Sequence, residues 1–164
     1  RLYDLELTFG EDKVHSYFGL RSLELTGYKF LINGKSVFQR LILDQGLYPE
    51  GIYTAPNDAA LERDIDMCME LGFNGARLHE KIFEERFLYH CDKKGYRVWG
   101  EYPNWGFDYT NDANTSIYLR EWTESMARDY NHPSLIGWCP FNETWDIGGR
   151  KQYDPLLSLV YRAT

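Results

Sequence analysis

The sequence lacks a long hydrophobic run and lacks a cluster of basic residues. No apolar stretch approaches the roughly 20 residues that a transmembrane helix needs, and no basic segment followed by an apolar one opens the chain. The 18 Lys and Arg residues are outnumbered by 25 Asp and Glu, which gives a net charge of −7. No basic patch is present to follow a phosphate backbone. We therefore expect a soluble protein, cytoplasmic or periplasmic, that binds neither nucleic acid nor a membrane.

Cysteine is scarce as well, and an initiator methionine is missing. Cys68, Cys91 and Cys139 lie on apolar faces of predicted elements, and none is close enough to another in sequence to suggest a metal site. We interpret them as buried free thiols, which weakly favours a reducing compartment. The chain begins at Arg1, and its 164 residues fall short of the roughly 250 of a (β/α)8 barrel. These facts predict a fragment of a longer protein.

The first 26 residues have the period of β-strands. Residues 2–9 alternate, with Leu7 and Phe9 on the apolar face, which predicts a half-buried antiparallel strand. Residues 14–25 supply one or two further strands, and so few strands cannot bury a hydrophobic face by themselves. We therefore assign residues 1–26 to the last strands of a β-sandwich.

Residues 27–164 form a second predicted domain, in which strands and helices alternate. Asn33-Gly34 between two apolar runs predicts a β-hairpin, because both turn residues require positive φ. The second arm of this hairpin is predicted to continue into the first strand of a parallel sheet. The predicted parallel strands are residues 38–43, residues 73–78, residues 96–100 and a run that begins at Leu135.

Helical patterns separate these strands. The first helix begins at the N-cap Asn57 and ends at Gly72, the second ends at Gly95, and a last helix begins at Asp154-Pro155. The apolar residues predicted to face the core are Leu61, Ile65, Cys68, Met69, Phe83, Phe87, Leu88, Cys91, Tyr118, Trp122, Met126 and Tyr130. This order predicts an α/β fold with a parallel sheet, equal to the first four βα units of a (β/α)8 TIM barrel.

Polar side chains stand at the ends of the predicted parallel strands. They are Asp44 after the first strand, Arg77 and His79 at the second, Glu101 after the third, and Asn142 with Glu143 after the fourth. In parallel α/β sheets the loops that follow the strands converge and build the active site. For Asp44, the cap of a helix or turn is an equally good interpretation.

Glu143 is the strongest candidate for chemistry. A short apolar run after Pro133 leads to this carboxylate, which has Trp138, Phe141 and Trp145 as sequence neighbours. Desolvation by these aromatic side chains would keep the carboxyl group protonated, as a general acid requires. A solvated loop acid is the alternative, and the strand that begins after proline favours the functional interpretation.

Aromatic residues make up 16% of the chain. Their faces stack on sugar rings, but they also fill ordinary cores. Trp105 lies in the long loop of residues 102–114, and loops of this length at strand ends are usually functional. We interpret Trp105 as a platform for a sugar, and an aromatic side chain that closes the rim of the barrel is nearly as good an interpretation.

The segment of residues 131–145, NHPSLIGWCPFNETW, resembles the acid/base segment of the retaining glycoside hydrolases of family 2, which include β-galactosidase, β-glucuronidase and β-mannosidase. The resemblance covers most of residues 27–160. The other matching segments are residues 17–21, residues 43–46, residues 74–79 with Lys81, and residues 99–101 with Pro103. It implies an immunoglobulin-like β-sandwich followed by a catalytic TIM barrel.

This resemblance implies hydrolysis of β-glycosides by retaining double displacement, with Glu143 as the general acid/base. Asn142 would hydrogen-bond the sugar 2-hydroxyl, and the guanidinium of Arg77 would order the carboxylates. Together with the strand ends, it makes these the candidate substrate-binding residues: Asn142, Arg77, His79, Asp44, Glu101, Trp105 and Trp145. We expect no cofactor and no metal ion.

The nucleophile of the family is a Glu at the end of the seventh strand, and this chain stops after its fourth helix. Glu101 and Asp44 are the other carboxylates predicted at strand ends, and both would lie on the same half of the ring as Glu143. We therefore expect these 164 residues alone to be inactive.

The residues after His79 differ from two branches of the family. The β-galactosidases and β-glucuronidases carry Tyr-Pro there, whereas this chain carries Glu80 and Lys81. The resemblance therefore does not extend to those two specificities.

Two other interpretations stay open. The aromatic strand ends could hold a carbohydrate without cleaving it, as in a pseudoenzyme, although a binder has no need of Glu143. An unclosed half-barrel would also expose unpaired strand edges, which predicts a homo-oligomer.

Overall fold

A computed structural model describes residues 1–164 as nine β-strands in three sheets and four α-helices. The first sheet contains β1 (Leu2–Phe9) and β2 (Asp12–Gly19). The second contains β3 (Leu23–Thr26), β4 (Lys29–Ile32) and β5 (Lys35–Ser36). The third contains β6 (Leu41–Asp44), β7 (Gly75–Leu78), β8 (Arg97–Glu101) and β9 (Leu135–Cys139).

The ribbon of β1 and β2 is antiparallel over its full length, as the alternating sequence predicts. Within these residues its apolar face is uncovered, with Leu7 54% and Phe9 91% exposed, so the burial of this face by other strands of a β-sandwich stays a prediction. No second sheet of this chain packs on that face. The ribbon contacts the helix of residues 85–94 at its other end, where the Tyr17 hydroxyl donates to Asp92 at 2.8 Å.

The Asn33-Gly34 turn is confirmed, with φ angles of 52° and 73°. The predicted continuation of its second arm is wrong, because β5 ends at Ser36 and the next strand starts at Leu41. The side chain of Asn74 explains the break. It accepts from the N–H of Arg40 and donates to the carbonyl of Phe38, both at 2.9 Å, so these two backbone groups bond to a side chain instead of a neighbouring strand.

The four strands of the third sheet run parallel in the order β6-β7-β8-β9. The helices that follow them are α1 (Asp58–Glu70), α2 (Glu85–Lys94), α3 (Thr115–Asp129) and α4 (Asp154–Ala163). This confirms the predicted α/β fold with a parallel sheet. The division of the chain at residue 26 falls in the turn between the paired strands β3 and β4 and stays a prediction.

Local signals fix the helix ends as predicted. The Asn57 side chain accepts from the N–H of Ala60 at 3.0 Å and caps α1. Gly95 ends α2 with a φ of 70°, a conformation that costs glycine little. Pro155 occupies the first turn of α4. No helix is both long enough and apolar enough to cross a bilayer.

Two clusters form the core. One packs α1 and α2 against the parallel sheet, and the other joins α3 and α4 to the loop after β8. Of the predicted core residues, Met69 is 40% and Tyr130 is 74% exposed, so these two assignments are wrong. Tyr130 lies just beyond the last residue of α3, so its side chain is not part of the buried face of the helix. All three cysteines are free, and Cys91 is the fully buried one.

Candidate active site

The carboxyl ends of the parallel strands bring the predicted polar residues to one edge of the sheet. The N–H of His79, after β7, donates to the carbonyl of Asp44 in β6 at 2.7 Å. Glu101, the last residue of β8, pairs in register with Cys139 at the end of β9. Asn142 follows three residues later.

Arg77 joins these strand ends. Its Nε donates to Glu101 Oε2 at 2.6 Å, and its Nη2 donates to Asn142 Oδ1 at 2.7 Å. Burial lowers the pKa of Arg77, but the hydrogen bond and the charge of Glu101 outweigh burial and raise it overall. The second oxygen of Glu101 accepts from the N–H of Glu80 at 3.0 Å. Both oxygens of this fully buried carboxylate are therefore engaged.

Asn104 fixes the backbone that precedes Glu143. Its Oδ1 accepts from the N–H of Asn142 at 2.6 Å, and its Nδ2 donates to the Asn142 carbonyl at 2.7 Å. The Tyr109 hydroxyl in turn donates to the carbonyl of Asn104 at 2.9 Å. Asn142 has one free group, since its buried Nδ2 has no hydrogen-bond partner.

Glu143 itself is exposed and has a φ of 49°, a left-handed conformation that is uncommon outside glycine. The predicted desolvation of its carboxylate is therefore wrong for this chain. Trp138 and Phe141 pack into the core beneath the strand instead of covering the carboxylate. The positive φ directs the chain into the loop immediately after the fixed Asn142.

A pocket of about 400 Å³ opens beside Glu143. Trp105 and Trp145, each 55% exposed, lie on its wall together with Tyr109. The indole of Trp105 is thus open to solvent, as a stacking platform requires.

A smaller concavity of about 100 Å³ also has Trp105 in its wall, together with His79 and Glu80. His79 contacts Trp105 edge-on with 5.7 Å between the ring centroids, and its Nδ1 is 3.2 Å from Gln45 Nε2. Asp44 Oδ1 accepts from the N–H of Gly46 at 2.9 Å, which is the turn contact that the sequence left open. Burial raises the pKa of Asp44.

Three side chains in this region have atoms at spacings that suit a metal ion. Ligand atoms of His79, Glu80 and Glu101 lie within 4.8 Å of one another. Arg77 already neutralises Glu101, however, and both Glu101 oxygens accept hydrogen bonds. We therefore assign no metal to this cluster.

The sequence analysis did not identify two residues of the site, Asn104 and Glu80. Asn104 is a single amide in a long loop, and no local pattern indicates that it faces Asn142. Glu80 follows the candidate His79 directly, and its left-handed φ of 56° could not be predicted for a glutamate.

Comparison with known proteins relates the chain to glycosidases. The sequence is 26% identical over 168 residues to the β-glucuronidase of Streptococcus agalactiae and 30% identical over 153 residues to that of Rattus norvegicus. These alignments include 91% and 87% of the chain. The solved β-glucuronidase of an uncultured Clostridium superposes on 99% of the chain with a TM-score of 0.85 and 25% identity. The chain belongs to glycoside hydrolase family 2. No protein-family model matches the sequence.

This membership confirms the family resemblance that the sequence predicted. These 164 residues span only 28% of the S. agalactiae protein, 23% of the R. norvegicus protein and 29% of the solved Clostridium chain. The names of these relatives therefore describe proteins several times longer than the chain.

Proposed function

We propose that the whole protein hydrolyses the O-glycosidic bond of β-glycosides with retention, and that Glu143 is its general acid/base. The observation that carries this proposal is the rigid support of residue 142. Asn104 holds its backbone and Arg77 holds its side chain, so the next residue, Glu143, leaves the strand end in a defined direction. Precise placement of a proton donor is what acid/base catalysis needs.

Asn142 would bind the sugar. Its Oδ1 is occupied by Arg77, whereas its Nδ2 is buried without a partner. An unpaired buried donor is costly, and a sugar hydroxyl would satisfy it. This geometry supports a bond from Asn142 to the 2-hydroxyl, an interaction that strengthens as the oxocarbenium-like transition state forms.

The aromatic pocket beside Glu143 would hold a carbohydrate. Trp105 and Trp145 offer exposed faces on which a sugar or an aryl leaving group can stack. We infer that His79, Asp44 and Glu101 complete the site, with Glu101 and Asp44 in supporting roles, because their oxygens already bond to neighbouring groups.

The nucleophile would come from outside these 164 residues. Retention requires a second carboxylate roughly 5–5.5 Å from the acid. Glu101 is 1% exposed with both oxygens bonded, and Asp44 bonds the turn at Gly46. We therefore propose that the parallel sheet is the first half of a (β/α)8 barrel whose second half supplies the nucleophile.

The test compares the whole protein with its Glu143→Gln variant on a panel of aryl β-glycosides. We expect the variant to lose turnover and to regain it with azide as a stable glycosyl azide, since azide needs no general base. Glu124→Gln, which removes an exposed carboxylate from α3, is the matched control and should retain full activity. A whole protein that binds sugars and cleaves none of them would instead be a carbohydrate-binding pseudoenzyme.

A further inference from the structure

Glu80 is a carboxylate that the structure holds firmly beside the candidate site. Its N–H donates to Glu101 at 3.0 Å, and the Tyr53 hydroxyl donates to its carbonyl at 2.7 Å. Its side-chain Oε2 accepts from the N–H of Trp105 at 2.8 Å. Because main chain and side chain are both bonded, the carboxylate cannot turn away from a ligand without breaking these contacts.

No cation of the chain pairs with this carboxylate. Arg77 is paired with Glu101 at 2.6 Å. Lys81 is 4% exposed, and its ammonium bonds two backbone carbonyls and lies 3.3 Å from Glu84. The second oxygen of Glu80, Oε1, is buried and has no hydrogen-bond partner. Its negative charge is therefore poorly compensated.

Glu80 lies next to the space where a sugar would bind. Glu80 lines the concavity of about 100 Å³ that contains His79, and Trp105 lines both this concavity and the pocket of Glu143. Burial raises the pKa of the Tyr53 hydroxyl on the same wall, and the charge of Glu80 raises it further. A ligand beside Glu143 thus enters the field of Glu80.

We propose that Glu80 makes this site select β-glycosides whose sugar carries no acid group and reject uronides. The inference rests on the proposed function and names the substrate class of the same site. A sugar carboxylate would approach the unpaired charge of Glu80 while the nearby guanidinium of Arg77 is already paired with Glu101, and like charges in a partly desolvated site repel strongly. The hydroxyls of a neutral sugar are donors that carboxylates accept. The chain would thus differ from its relatives named β-glucuronidase.

The test measures kcat/KM of the whole protein on aryl β-glycosides that differ only at C6. The pairs are glucoside with glucuronide and galactoside with galacturonide, and the panel adds a mannoside, a xyloside and the methyl ester of the glucuronide. We expect neutral glycosides to exceed uronides by about tenfold or more, and the methyl ester to exceed the free acid. A uronide cleaved faster than its neutral partner would overturn the inference and leave the proposed function standing. If the protein cleaves nothing, the proposed function fails and this inference fails with it.

The Glu80→Gln variant assigns the selection to Glu80. It keeps an oxygen for the N–H of Trp105 and removes the charge, so discrimination against the uronide should fall about tenfold. Glu50→Gln removes an exposed carboxylate from the loop after β6 and should leave the discrimination unchanged. If Glu80→Gln does not fold, salt provides the measurement, because screening should raise the rate for the uronide and not for the neutral sugar. A uronide rate that responds to neither change would contradict the assignment.

Discussion

Asn104 and Asn142 exchange two hydrogen bonds, from the N–H of Asn142 to Asn104 Oδ1 at 2.6 Å and from Asn104 Nδ2 to the carbonyl of Asn142 at 2.7 Å. Both residues are buried, and 38 positions separate them in the chain. One side chain therefore satisfies the backbone of the other as a neighbouring strand would. This contact continues the support of β9 beyond its last residue, Cys139, up to the candidate acid.

Asn104→Ala should destabilise the fold and misplace Glu143. Two buried backbone groups of Asn142 would lose their partners, which predicts a loss of about 2–4 kcal/mol in the free energy of unfolding. Urea unfolding measures this loss. Under conditions in which the Asn104→Ala variant is still folded, its kcat on an aryl glycoside should be lower than that of the parent. Asn111→Ala removes an exposed cap of the 3₁₀ turn before α3 and serves as the control. Equal stability of the two variants would contradict the proposed role of Asn104.

The ion pair of Arg77 and Glu101 should be worth far more than the surface pairs. Glu101 has no exposed side-chain surface, so Arg77→Met would leave a buried charge unpaired and cost about 3–5 kcal/mol. Arg86→Met breaks an exposed pair with Asp58 and should have little effect on stability, because water screens the two charges. The combined change Arg77→Met with Glu101→Gln should recover part of the loss. Chemical denaturation of the parent, the two single variants and the double variant measures these differences. A loss of stability in Arg77→Met no greater than that in Arg86→Met would contradict this prediction.

Asp44 should make stability depend on pH. Burial raises the pKa of Asp44 in the folded state above the ordinary value of about 3.9. Its protonated form is thus favoured by folding, so its contribution is fully present below about pH 4 and is lost as pH rises through the raised pKa. Asp44→Asn keeps the oxygen for Gly46 and removes the titration. The variant should therefore become more stable than the parent as pH rises, and thermal unfolding from pH 3 to 7 measures this.

The control for this pH series is Asp4→Asn, which removes an exposed carboxylate from β1 and reports the effect of one negative charge fewer. If the stability difference between Asp44→Asn and the parent does not grow with pH, the burial of Asp44 has no energetic consequence.

Local chemistry predicted much of the fold. The Asn33-Gly34 turn and the Asn57 cap depend on a few adjacent residues, and the structure confirms both. Contacts between distant segments could not be predicted in this way. The start of β6 depends on Asn74, which bonds residues 38 and 40 from more than 30 positions away, so the sequence alone suggested an uninterrupted strand.

The sequence predicted the residues of the candidate site that lie at strand ends, but it did not predict the residues that hold them in place. Asp44 and Glu101 end parallel strands and His79 follows one, and such strands place their carboxyl ends together in any α/β sheet. The burial of Glu143 was wrongly expected, because aromatic neighbours in sequence need not be neighbours in space. The direction of each aromatic side chain depends on how β9 packs on α3 and α4.

The strand that carries the candidate acid is fixed at both ends by groups from elsewhere in the chain. Arg21 donates from Nε to the carbonyl of Pro133 at 2.8 Å and also bonds the carbonyl of Leu135, while Asn104 holds residue 142. For protein engineering, this means that residues 131–145 would not keep their conformation if they were transferred alone to another protein. A designer who grafts the segment onto another scaffold must also supply an arginine and an amide in these two positions. Without them, the carboxylate of Glu143 would not be held in its orientation.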